Sequence, residues 1–335
     1  MKVLVTGATG LVGTALVKSL ARDGHTVCRL LRRESVTTGK KSKGAKPESE
    51  KARQRAGLSV TEATRVFDVA WDPEASAAHA IGDPQGHTAG ADAVVNLAGA
   101  SIADGKWTTQ RKMQLRSSRV KGTRSLLTAI QKAELAPKVL VSASAIGFYG
   151  DRGDEVLTEE SAAGTGFLAA LATEWEAEAK SAQELGMRVV CTRFGIILAK
   201  NGGALPQMTK PFRFGVGGKL GSGRQWMSWI TLDDVIAVLR YVLENASVSG
   251  ALNVVAPEPV RNAKFTAELA RAMHRPAVFA VPEFALRMAL GKEMAQEMLL
   301  ASERVMPKRL QAFGYQFQHP ELPLALEDVL HGNAN

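Results

Sequence analysis

The first 33 residues constrain the fold of this chain more than any other stretch. Val3, Leu4 and Val5 form a short apolar run typical of a strand that is buried on both faces of a parallel sheet. The segment TGATGLVG follows at once, and apolar residues at helical spacing come after it. A second strand-like run, HTVCRLL, begins after Gly24. The order strand, glycine-rich turn, helix, strand predicts the start of an α/β fold with a parallel sheet.

Three glycines give the turn a specific role. Gly7 allows a sharp turn out of the strand, Gly10 lets the backbone approach a pyrophosphate, and Gly13 lets the helix pack closely on the sheet. The phosphates would meet free N–H groups and the positive end of the helix dipole. The predicted dinucleotide-binding residues here are Gly7, Thr9, Gly10, Leu11, Val12 and Gly13. The alternative, a glycine-rich turn in an unrelated α/β protein, is disfavoured by the strand before the turn and the amphipathic helix after it.

The composition limits the classes of protein to which the chain can belong. Its 335 residues are 45% hydrophobic, which is enough for a large buried core. No apolar run reaches the roughly 18 residues of a transmembrane helix, and we expect no signal peptide, because the N-terminus enters a core strand directly. Cys28 and Cys191 lie in apolar runs and are predicted to be buried, reduced thiols, which favours a cytoplasmic location. No Cys/His spacing suggests a metal site.

The net charge of +9 is concentrated in one segment. Residues 32–55 contain nine Lys or Arg and three Glu, which account for six of the nine net charges. The segment is polar, lacks aromatic residues and shows no periodicity, which predicts a solvated, flexible, basic insertion over residues 34–65. We therefore predict no nucleic-acid partner and no membrane association. The lesser alternative is a basic tail that contacts nucleic acid or an anionic surface.

Further motifs resemble those of one protein family. TGATGLVG resembles the TGxxGxxG pattern of extended short-chain dehydrogenases/reductases, and the run NLAG that ends at Gly99 resembles their NxAG motif. The segments WTTQRK, RSSRVKGT, SASAIGFYG, WEAEA and GSGRQWMSWI, with the C-terminal region, are similar to an atypical subfamily labelled epimerase family protein. That subfamily joins an NAD-dependent epimerase/dehydratase-like domain to a C-terminal domain of unknown function. The resemblance implies an α/β, Rossmann-type doubly wound parallel sheet over residues 1–205 and a smaller α-rich C-terminal lobe over residues 206–335 that completes the substrate cleft.

The strand ends beyond the glycine turn supply further cofactor residues. Ligands of open α/β sheets bind outside the carboxyl ends of the strands, so the small-residue turn of Leu97, Ala98 and Gly99 should face the adenine and ribose. An acid at the end of the second strand would select NAD, but this strand ends in Arg32, which can pair with a 2′-phosphate. We therefore predict NADP(H) as the cofactor. The strand end at Ser142 joins the predicted cofactor-binding set, and the resemblance to the family adds Arg119, in RSSRVKGT, and Ile197.

Catalysis is harder to assign, because one expected residue pair is absent. The family places a serine at the end of the strand in KVLVSASA and follows it with a Tyr-Gly pair, and Ser144 and Tyr149 match these positions. The family also has Tyr-x-x-x-Lys on the next helix, where this chain has only Phe, Leu and Ala over residues 167–172. We predict Ser144 and Tyr149 as the catalytic residues. Tyr149 would be a poor unassisted base at neutral pH, since a phenol has a pKa of about 10.

A glycine-rich loop with two tryptophans predicts the substrate side of the cleft. An arginine fork and an indole ring suit an anionic or planar ligand, so the predicted substrate residues are Gly218, Arg224, Gln225 and Trp226. The predicted function is an NADP(H)-dependent oxidoreductase or nucleotide-sugar epimerase-like enzyme acting on a small molecule, anionic or sugar-like. The alternative is a catalytically inactive NADPH-binding sensor or interaction protein, which the missing Tyr-x-x-x-Lys pair favours. Members of the superfamily often dimerise, so a homodimer stands as an alternative to a monomer.

Overall fold

The computed structural model describes residues 1–32, 59–73 and 81–332, and the elements below lie within them. The strands are β1 (Lys2–Thr6), β2 (Thr26–Arg32), β3 (Val66–Trp71), β4 (Ile81–Gly82), β5 (Ala93–Asn96), β6 (Val139–Ala145), β7 (Val156–Leu157), β8 (Arg188–Phe194), β9 (Ile196–Leu198), β10 (Gly218–Leu220), β11 (Trp226–Met227), β12 (Trp229–Thr231), β13 (Gly250–Val254), β14 (Val260–Arg261), β15 (Phe279–Val281) and β16 (Arg304–Val305). The α-helices are α1 (Leu11–Arg22), α2 (Val60–Ala63), α3 (Thr109–Arg116), α4 (Gly122–Lys132), α5 (Phe167–Lys180), α6 (Leu205–Arg213), α7 (Leu232–Glu244), α8 (Asn262–Ala272), α9 (Glu283–Leu290), α10 (Lys292–Ala295), α11 (Lys308–Ala312) and α12 (Leu322–His331).

The main sheet has eight strands in the order β13-β8-β6-β5-β1-β2-β3-β4. Every neighbouring pair in it is parallel except β3 and β4. The chain starts in the middle of the sheet and builds outward in both directions from β1, so the order reverses between β1 and β5. In such sheets a ligand binds outside the carboxyl ends of the strands at the reversal point. The predicted Rossmann-type doubly wound fold is confirmed.

The two faces of the sheet have separate hydrophobic cores. Val3 and Val5 of β1 pack on one face with side chains of α1 and α7, whereas Leu4 packs on the other face with α4 and α5. All three side chains are fully buried. Burial on both faces explains why β1 is a continuous apolar run instead of an alternating one.

The main sheet extends beyond the predicted domain boundary at residue 205. Helix α7 shares a core with α1, and β13 then pairs in parallel with β8, from Gly250 beside Val190 to Val254 beside Phe194. A strand that joins a sheet in parallel needs a crossover connection, and α7 provides it. The smaller lobe is therefore formed by the segments on either side of this crossover. Its own core includes Trp229, Phe265 and Leu326, among others.

The predicted basic insertion falls mainly outside the described residues, which resume at Ser59. From there to residue 65 the chain is part of the fold. Ser59 and Glu62 form a capping box at the start of α2, in which the Ser59 hydroxyl accepts from the N–H of Glu62 and the Glu62 carboxylate accepts from the N–H of Ser59. The predicted insertion was therefore drawn too far toward β3.

The two cysteines are buried and form no disulfide, as predicted. Burial raises the pKa of Cys28 to about 11 and that of Cys191 to about 12, so both thiols stay protonated and unreactive near neutral pH. Among the described helices, none is both long enough and apolar enough to cross a membrane.

Candidate functional site

The glycine turn has the backbone geometry that a phosphate site requires. Gly7 has φ +63°, and a Cβ at this position would lie 2.6 Å from the carbonyl carbon of Leu97. A Cβ on Gly13 would lie 2.2 Å from the carbonyl oxygen of Gly7. Gly10 is the exposed N-cap residue of α1 and has no side chain with which to bond the first N–H groups of that helix. Those N–H groups are therefore available to an anion.

The turn that follows β5 is held against the glycine turn by buried polar side chains. The hydroxyl of Thr6 donates to Oδ1 of Asn96 at 2.7 Å and accepts from the N–H groups of Leu97 and Ala98 at 3.2 Å each. The amide of Asn96 donates in turn to the hydroxyl of Thr123 on α4 at 2.9 Å. This network fixes the end of β5 relative to β1 and explains why asparagine precedes the small-residue turn.

A polar cavity of about 540 Å³ opens beside this turn, at the ends of β2 and β3. Its walls include Arg32 at the end of β2, Trp71 at the end of β3 and Ala98 in the turn after β5. Ser118 and Lys121 line it from the helical side. Two cationic side chains near an indole ring suit an adenosine group that carries a phosphate on its ribose.

A π-helical turn, Ser117–Lys121, joins α3 to α4 and separates this cavity from the next one along the sheet. Such turns are rare and occur frequently at functional sites. The π-helical turn contains Arg119, whose guanidinium lies 5.2 Å from the ring centroid of Trp175. A Cβ on Gly99 would lie 3.1 Å from Cζ of Arg119. Burial, followed by the charge of Arg111, lowers the pKa of Arg119 to about 10. Within the described part of the chain no carboxylate pairs with Arg119, so it can neutralise an anionic ligand.

A mostly apolar cavity of about 430 Å³, called the main cavity below because Ser144 lines it, lies at the carboxyl ends of β6 and β8, between the sheet and the smaller lobe. Side chains from the main-sheet region and from the smaller lobe line it, and most of them are apolar. They include Arg119, Ser144, Leu168, Leu171, Ala172, Trp175, Phe194, Ile196, Met208, Leu220, Trp226, Met227, Asn262, Glu297, Met298, Leu299 and Glu303. A second apolar cavity of about 220 Å³ shares Met208, Leu220, Met227, Asn262 and Leu299 with it. The two cavities therefore adjoin across a common wall.

A buried chain of hydrogen bonds lies behind the main cavity. The hydroxyl of Ser144 donates to Oε1 of Glu176 at 2.8 Å. Arg193 binds both carboxylate oxygens of Glu176, at 2.7 and 2.8 Å, and donates at 2.8 Å to the phenol oxygen of Tyr149. Tyr149 donates in turn to Oδ1 of Asn253 at 2.7 Å. All five residues are buried, and the bidentate ion pair between α5 and β8 holds the serine at the edge of the cavity.

The sequence of this chain is similar to those of a known protein family over nearly its whole length. The sequence matches the NAD-dependent epimerase/dehydratase family over residues 3–255, and a domain of unknown function over residues 281–329. The chain belongs to this family. The epimerase family protein MT2273 of Mycobacterium tuberculosis is 38% identical over 326 residues, covering 97% of this chain and 96% of the relative. The epimerase family protein YfhF of Bacillus subtilis is 37% identical over 331 residues, covering 98% of both.

Solved structures agree with this assignment. The human epimerase family protein SDR39U1, crystallised with NADPH, superposes with a TM-score of 0.80 at 32% identity, covering 98% of this chain and 99% of that one. UDP-glucuronic acid 4-epimerase from Bacillus cereus, in complex with UDP-glucuronic acid and NAD, gives a TM-score of 0.73 over 99% and 98% of the two chains. At 15% identity the second comparison shows the fold alone. The predicted membership of the epimerase family protein group is confirmed.

Tyr149, predicted to be catalytic, lies outside the main cavity of this family member. It is fully buried and packs with Ile146 and Leu157, while its hydroxyl is held between Arg193 and Asn253. Burial raises the pKa of Tyr149, although the charge of Arg193 opposes this. A catalytic group must touch the substrate, and from this position Tyr149 would not reach a substrate bound in the main cavity. The reason is local: the 3₁₀ turn Ile146–Tyr149 directs the ring into the core.

Of the four predicted substrate residues, only Trp226 lines the main cavity. Its indole N–H donates to Asp154 at 2.9 Å. Gln225 is buried and donates to the carbonyl oxygens of Leu220 and Leu299, which gives it a structural role. Arg224 is exposed and lines a separate surface groove.

Gly218 lies outside the main cavity, at a point where two strand backbones approach closely. It lines the second apolar cavity, and a Cβ there would lie 1.8 Å from the carbonyl oxygen of Phe279, so glycine allows β10 and β15 to pair closely. The patterns that suggested Gly218, Arg224 and Gln225 as substrate residues are explained by strand pairing, exposure and backbone hydrogen bonding.

The remaining predicted cofactor residues are divided between the cleft and the core. Ser142 is fully buried in β6, where it stands beside Asn96 of β5. Ile197 packs against the same core as Val12, whereas its neighbour Ile196 lines the main cavity. Successive residues of a strand face opposite sides, which accounts for this difference of one position.

The sequence analysis did not identify three carboxylates that shape the site. Glu176 pairs with Arg193, as described above. Glu297 lies on a second π-helical turn, Gln296–Leu300, and accepts from the N–H groups of Phe167 and Leu168 at 3.0 and 2.8 Å, so it caps α5. Glu303 lines the main cavity. Only Glu176 fell in a recognised motif, WEAEA, whereas nothing in the sequence pattern places residues 297 and 303 beside the start of α5.

Proposed function

We propose that this chain is an NADP(H)-dependent oxidoreductase whose small-molecule substrate occupies the main cavity. One observation carries the proposal: two cavities lie along the carboxyl edge of the sheet, one lined by Arg32 and the other by Arg119 and Ser144, and the glycine turn packs against Leu97 at the same edge. This order matches an extended dinucleotide, with an adenosine pocket at one end and a reaction chamber at the other. The NADPH complex of the human relative supports the choice of cofactor.

The residues of the cleft fit such a cofactor. The open N–H groups at the start of α1 can hold the pyrophosphate, and Arg32 is placed to pair with a 2′-phosphate. Arg119 lies beside Gly99, between the two cavities, where it can neutralise a phosphate or a substrate anion. When bound, NADP(H) supplies or accepts a hydride. The residues of the chain bind the cofactor, orient the substrate beside it and exclude water from the cavity.

The main cavity favours an apolar carbonyl or alcohol substrate over a nucleotide sugar. Its walls are mostly aliphatic and aromatic, including Leu168, Leu171 and Ala172 on the helix where the family has its Tyr-x-x-x-Lys pair. Burying sugar hydroxyls and a diphosphate against such walls would leave polar groups without hydrogen bonds, which is costly. A sugar-like or anionic substrate remains the alternative, and its charged group would have to meet Arg119.

A second candidate function is that of an NADPH-binding sensor without catalysis. The observation that favours it is the pair of apolar residues Leu168 and Ala172, one helical turn apart, which line the main cavity without supplying a proton. Binding of the cofactor is common to both functions. Turnover separates them.

Titration of the purified protein with NADPH, NADH and NADP⁺, followed by nicotinamide fluorescence, tests the shared step. We expect Arg32→Ala to weaken NADPH binding by about 5- to 150-fold, since removal of a charged partner costs about 1–3 kcal/mol. NADH binding should change by less than about twofold, because NADH has no 2′-phosphate to lose a partner. Arg22→Ala is the matched control, because Arg22 is the last residue of α1 and lies at the end of that helix away from the glycine turn. If no nicotinamide nucleotide binds the wild type, both functions are wrong; if NADPH binds but a screen of carbonyl compounds and nucleotide sugars gives no turnover, the sensor is correct.

A further inference from the structure

Glu303 occupies a fixed position in the wall of the main cavity. It immediately precedes β16, and its backbone is held on both sides: the N–H donates to the carbonyl oxygen of Trp226 at 3.2 Å, and the carbonyl oxygen accepts from the hydroxyl of Ser228 at 2.8 Å. Its side chain lines both the main cavity and a smaller adjoining cavity of about 210 Å³. The carboxyl group is therefore presented by an ordered backbone to the space in which a substrate would lie.

The carboxyl group of Glu303 differs from the other carboxyl groups of this region in having no partner. Glu176 is bound by Arg193 and Ser144, and Glu297 accepts from two N–H groups of α5. Within residues 1–32, 59–73 and 81–332, the Glu303 carboxyl forms no hydrogen bond and no ion pair. Glu303 is half-buried, and a carboxyl group that lines a cavity without a protein partner is available to a ligand that completes its hydrogen bonds.

The surroundings of Glu303 also hold it in the protonated form. Burial, followed by the nearby negative charges of Asp151 and Glu297, raises the pKa of Glu303 to about 8. An acid with a pKa near the working pH can both give up a proton and regain it, which is the property required of a general acid and base. The carboxyl of Glu303 therefore carries a transferable proton near neutral pH.

We propose that Glu303 is the catalytic acid of the main cavity and protonates the substrate oxygen during carbonyl reduction. In that step the carbonyl carbon receives a hydride with its electron pair, the C=O π pair moves to the oxygen, and the oxygen takes the proton of Glu303. The products are an alcohol, the oxidised cofactor and the Glu303 carboxylate, which water then reprotonates. Oxidation of the alcohol runs in reverse. This assignment rests on the proposed function and gives this chain a proton donor where the helix residues Leu168 and Ala172 provide none.

The first test of Glu303 needs no substrate. Infrared difference spectra of the full chain across pH, with and without NADPH, should show a protonated carboxylic acid band that titrates with a midpoint near pH 8, because the pKa of Glu303 is raised to about 8. The band should be lost in Glu303→Gln, which keeps the shape of the side chain, and retained in Glu321→Gln, an exposed control. A midpoint below about pH 6, or an unchanged band in Glu303→Gln, would overturn the proposal, because a glutamic acid with its ordinary pKa of 4.5 is already ionised at neutral pH.

The second test uses a carbonyl compound that the wild type reduces. We expect Glu303→Gln to lower kcat by about 100-fold or more at pH 7, since general acid catalysis contributes about 10²- to 10⁴-fold. The NADPH dissociation constant should stay within about twofold of the wild type, and the loss of kcat/KM that the wild type shows at high pH should be absent from the variant. If the wild type turns over and Glu303→Gln retains its kcat within threefold, Glu303 is not the acid, although the proposed function stands. If NADPH binds but no carbonyl compound is reduced, the assignment falls together with the proposed oxidoreductase activity.

Discussion

The cofactor end of the cleft, at the glycine turn, is shaped by backbone, whereas the substrate end, at the main cavity, is shaped by side chains. At the cofactor end, the close contacts are made by backbone: Gly7 lies against Leu97, and Gly13 lies against the carbonyl of Gly7. At the substrate end, the walls are side chains that come from many separate parts of the sequence, from Ile102 to Glu303. One end depends on the absence of a Cβ, and the other depends on which side chains are present.

This difference determines how tightly each end constrains the sequence. A backbone contact at a positive φ tolerates glycine and little else, so it leaves a local, recognisable pattern. An apolar wall tolerates many combinations of Leu, Met, Phe and Ala of similar volume. Family members can therefore share the cofactor end while their substrate ends differ, and a substrate cannot be read from the glycine turn.

The largest expected effect concerns the polar network that supports the substrate end. Arg193→Met should lower the free energy of unfolding by about 3–5 kcal/mol, because it leaves the buried carboxylate of Glu176 without its cation. Urea unfolding followed by circular dichroism measures the change. The double variant Arg193→Met with Glu176→Leu should recover at least half of the loss, because it removes the uncompensated charge. A loss below about 1 kcal/mol for the single variant would mean that the ion pair contributes no more than a surface pair.

The next effect separates folding from binding at the cofactor end. Gly7→Ala should lower the free energy of unfolding by about 2–3 kcal/mol, through the cost of a left-handed backbone for alanine and the overlap with Leu97. Gly10→Ala should change it by less than about 1 kcal/mol, because Gly10 has φ −78° and its Cβ would meet only the Gly7 carbonyl oxygen at 3.3 Å. Its exposed methyl group should still weaken NADPH binding, measured by fluorescence titration, by about tenfold or more. Equal stability losses in the two variants would contradict the proposed division of roles.

The same division explains how far sequence reasoning reached. Local runs of residues predicted the parallel sheet, the glycine turn and Arg32 at the end of β2, because strand, turn and helix signals are local. The resemblance to the family indicated Ser144, which lines the main cavity. The family membership was also recognisable from motifs spread along the chain. The extent of the main sheet was not, since nothing in the segment that forms β13 indicates which strand it will pair with.

Three of the four predicted substrate residues lie outside the main cavity, for a physical reason. In the sequence, a tyrosine or a glutamine in a glycine-rich loop suggests a ligand contact. In the structure, the Tyr149 hydroxyl is hydrogen-bonded to Arg193 and Asn253, and Gln225 donates to backbone carbonyls. Glu303 lies about 160 residues from Ser144 in the chain, and only the packing of the smaller lobe onto α5 puts both in one wall. Whether a polar group is satisfied by the fold or left for a ligand is a property of three-dimensional contacts.

Glu303, which has no partner for its carboxyl group among the described residues, should lower the free energy of unfolding of the folded protein as pH rises. Burial, with Asp151 and Glu297 nearby, raises the pKa of Glu303 from its usual 4.5 to about 8. Between these two values the folded protein keeps a proton that the unfolded chain releases, so the free energy of unfolding should fall as pH rises through this window, at no more than about 1.4 kcal/mol per pH unit.

Glu303→Gln has no proton to lose, so it should gain stability relative to the wild type as pH rises, by about 1–3 kcal/mol between pH 5 and pH 8 once the protein relaxes around the charge. Urea unfolding at pH 5, 6.5 and 8 measures this difference, with Glu321→Gln as the exposed control. A constant difference across the three pH values would mean that Glu303 titrates alike in the folded and unfolded chain. A gain that grows with pH would show that the fold keeps a destabilising acid at the substrate end, as expected where stability has been given up for function.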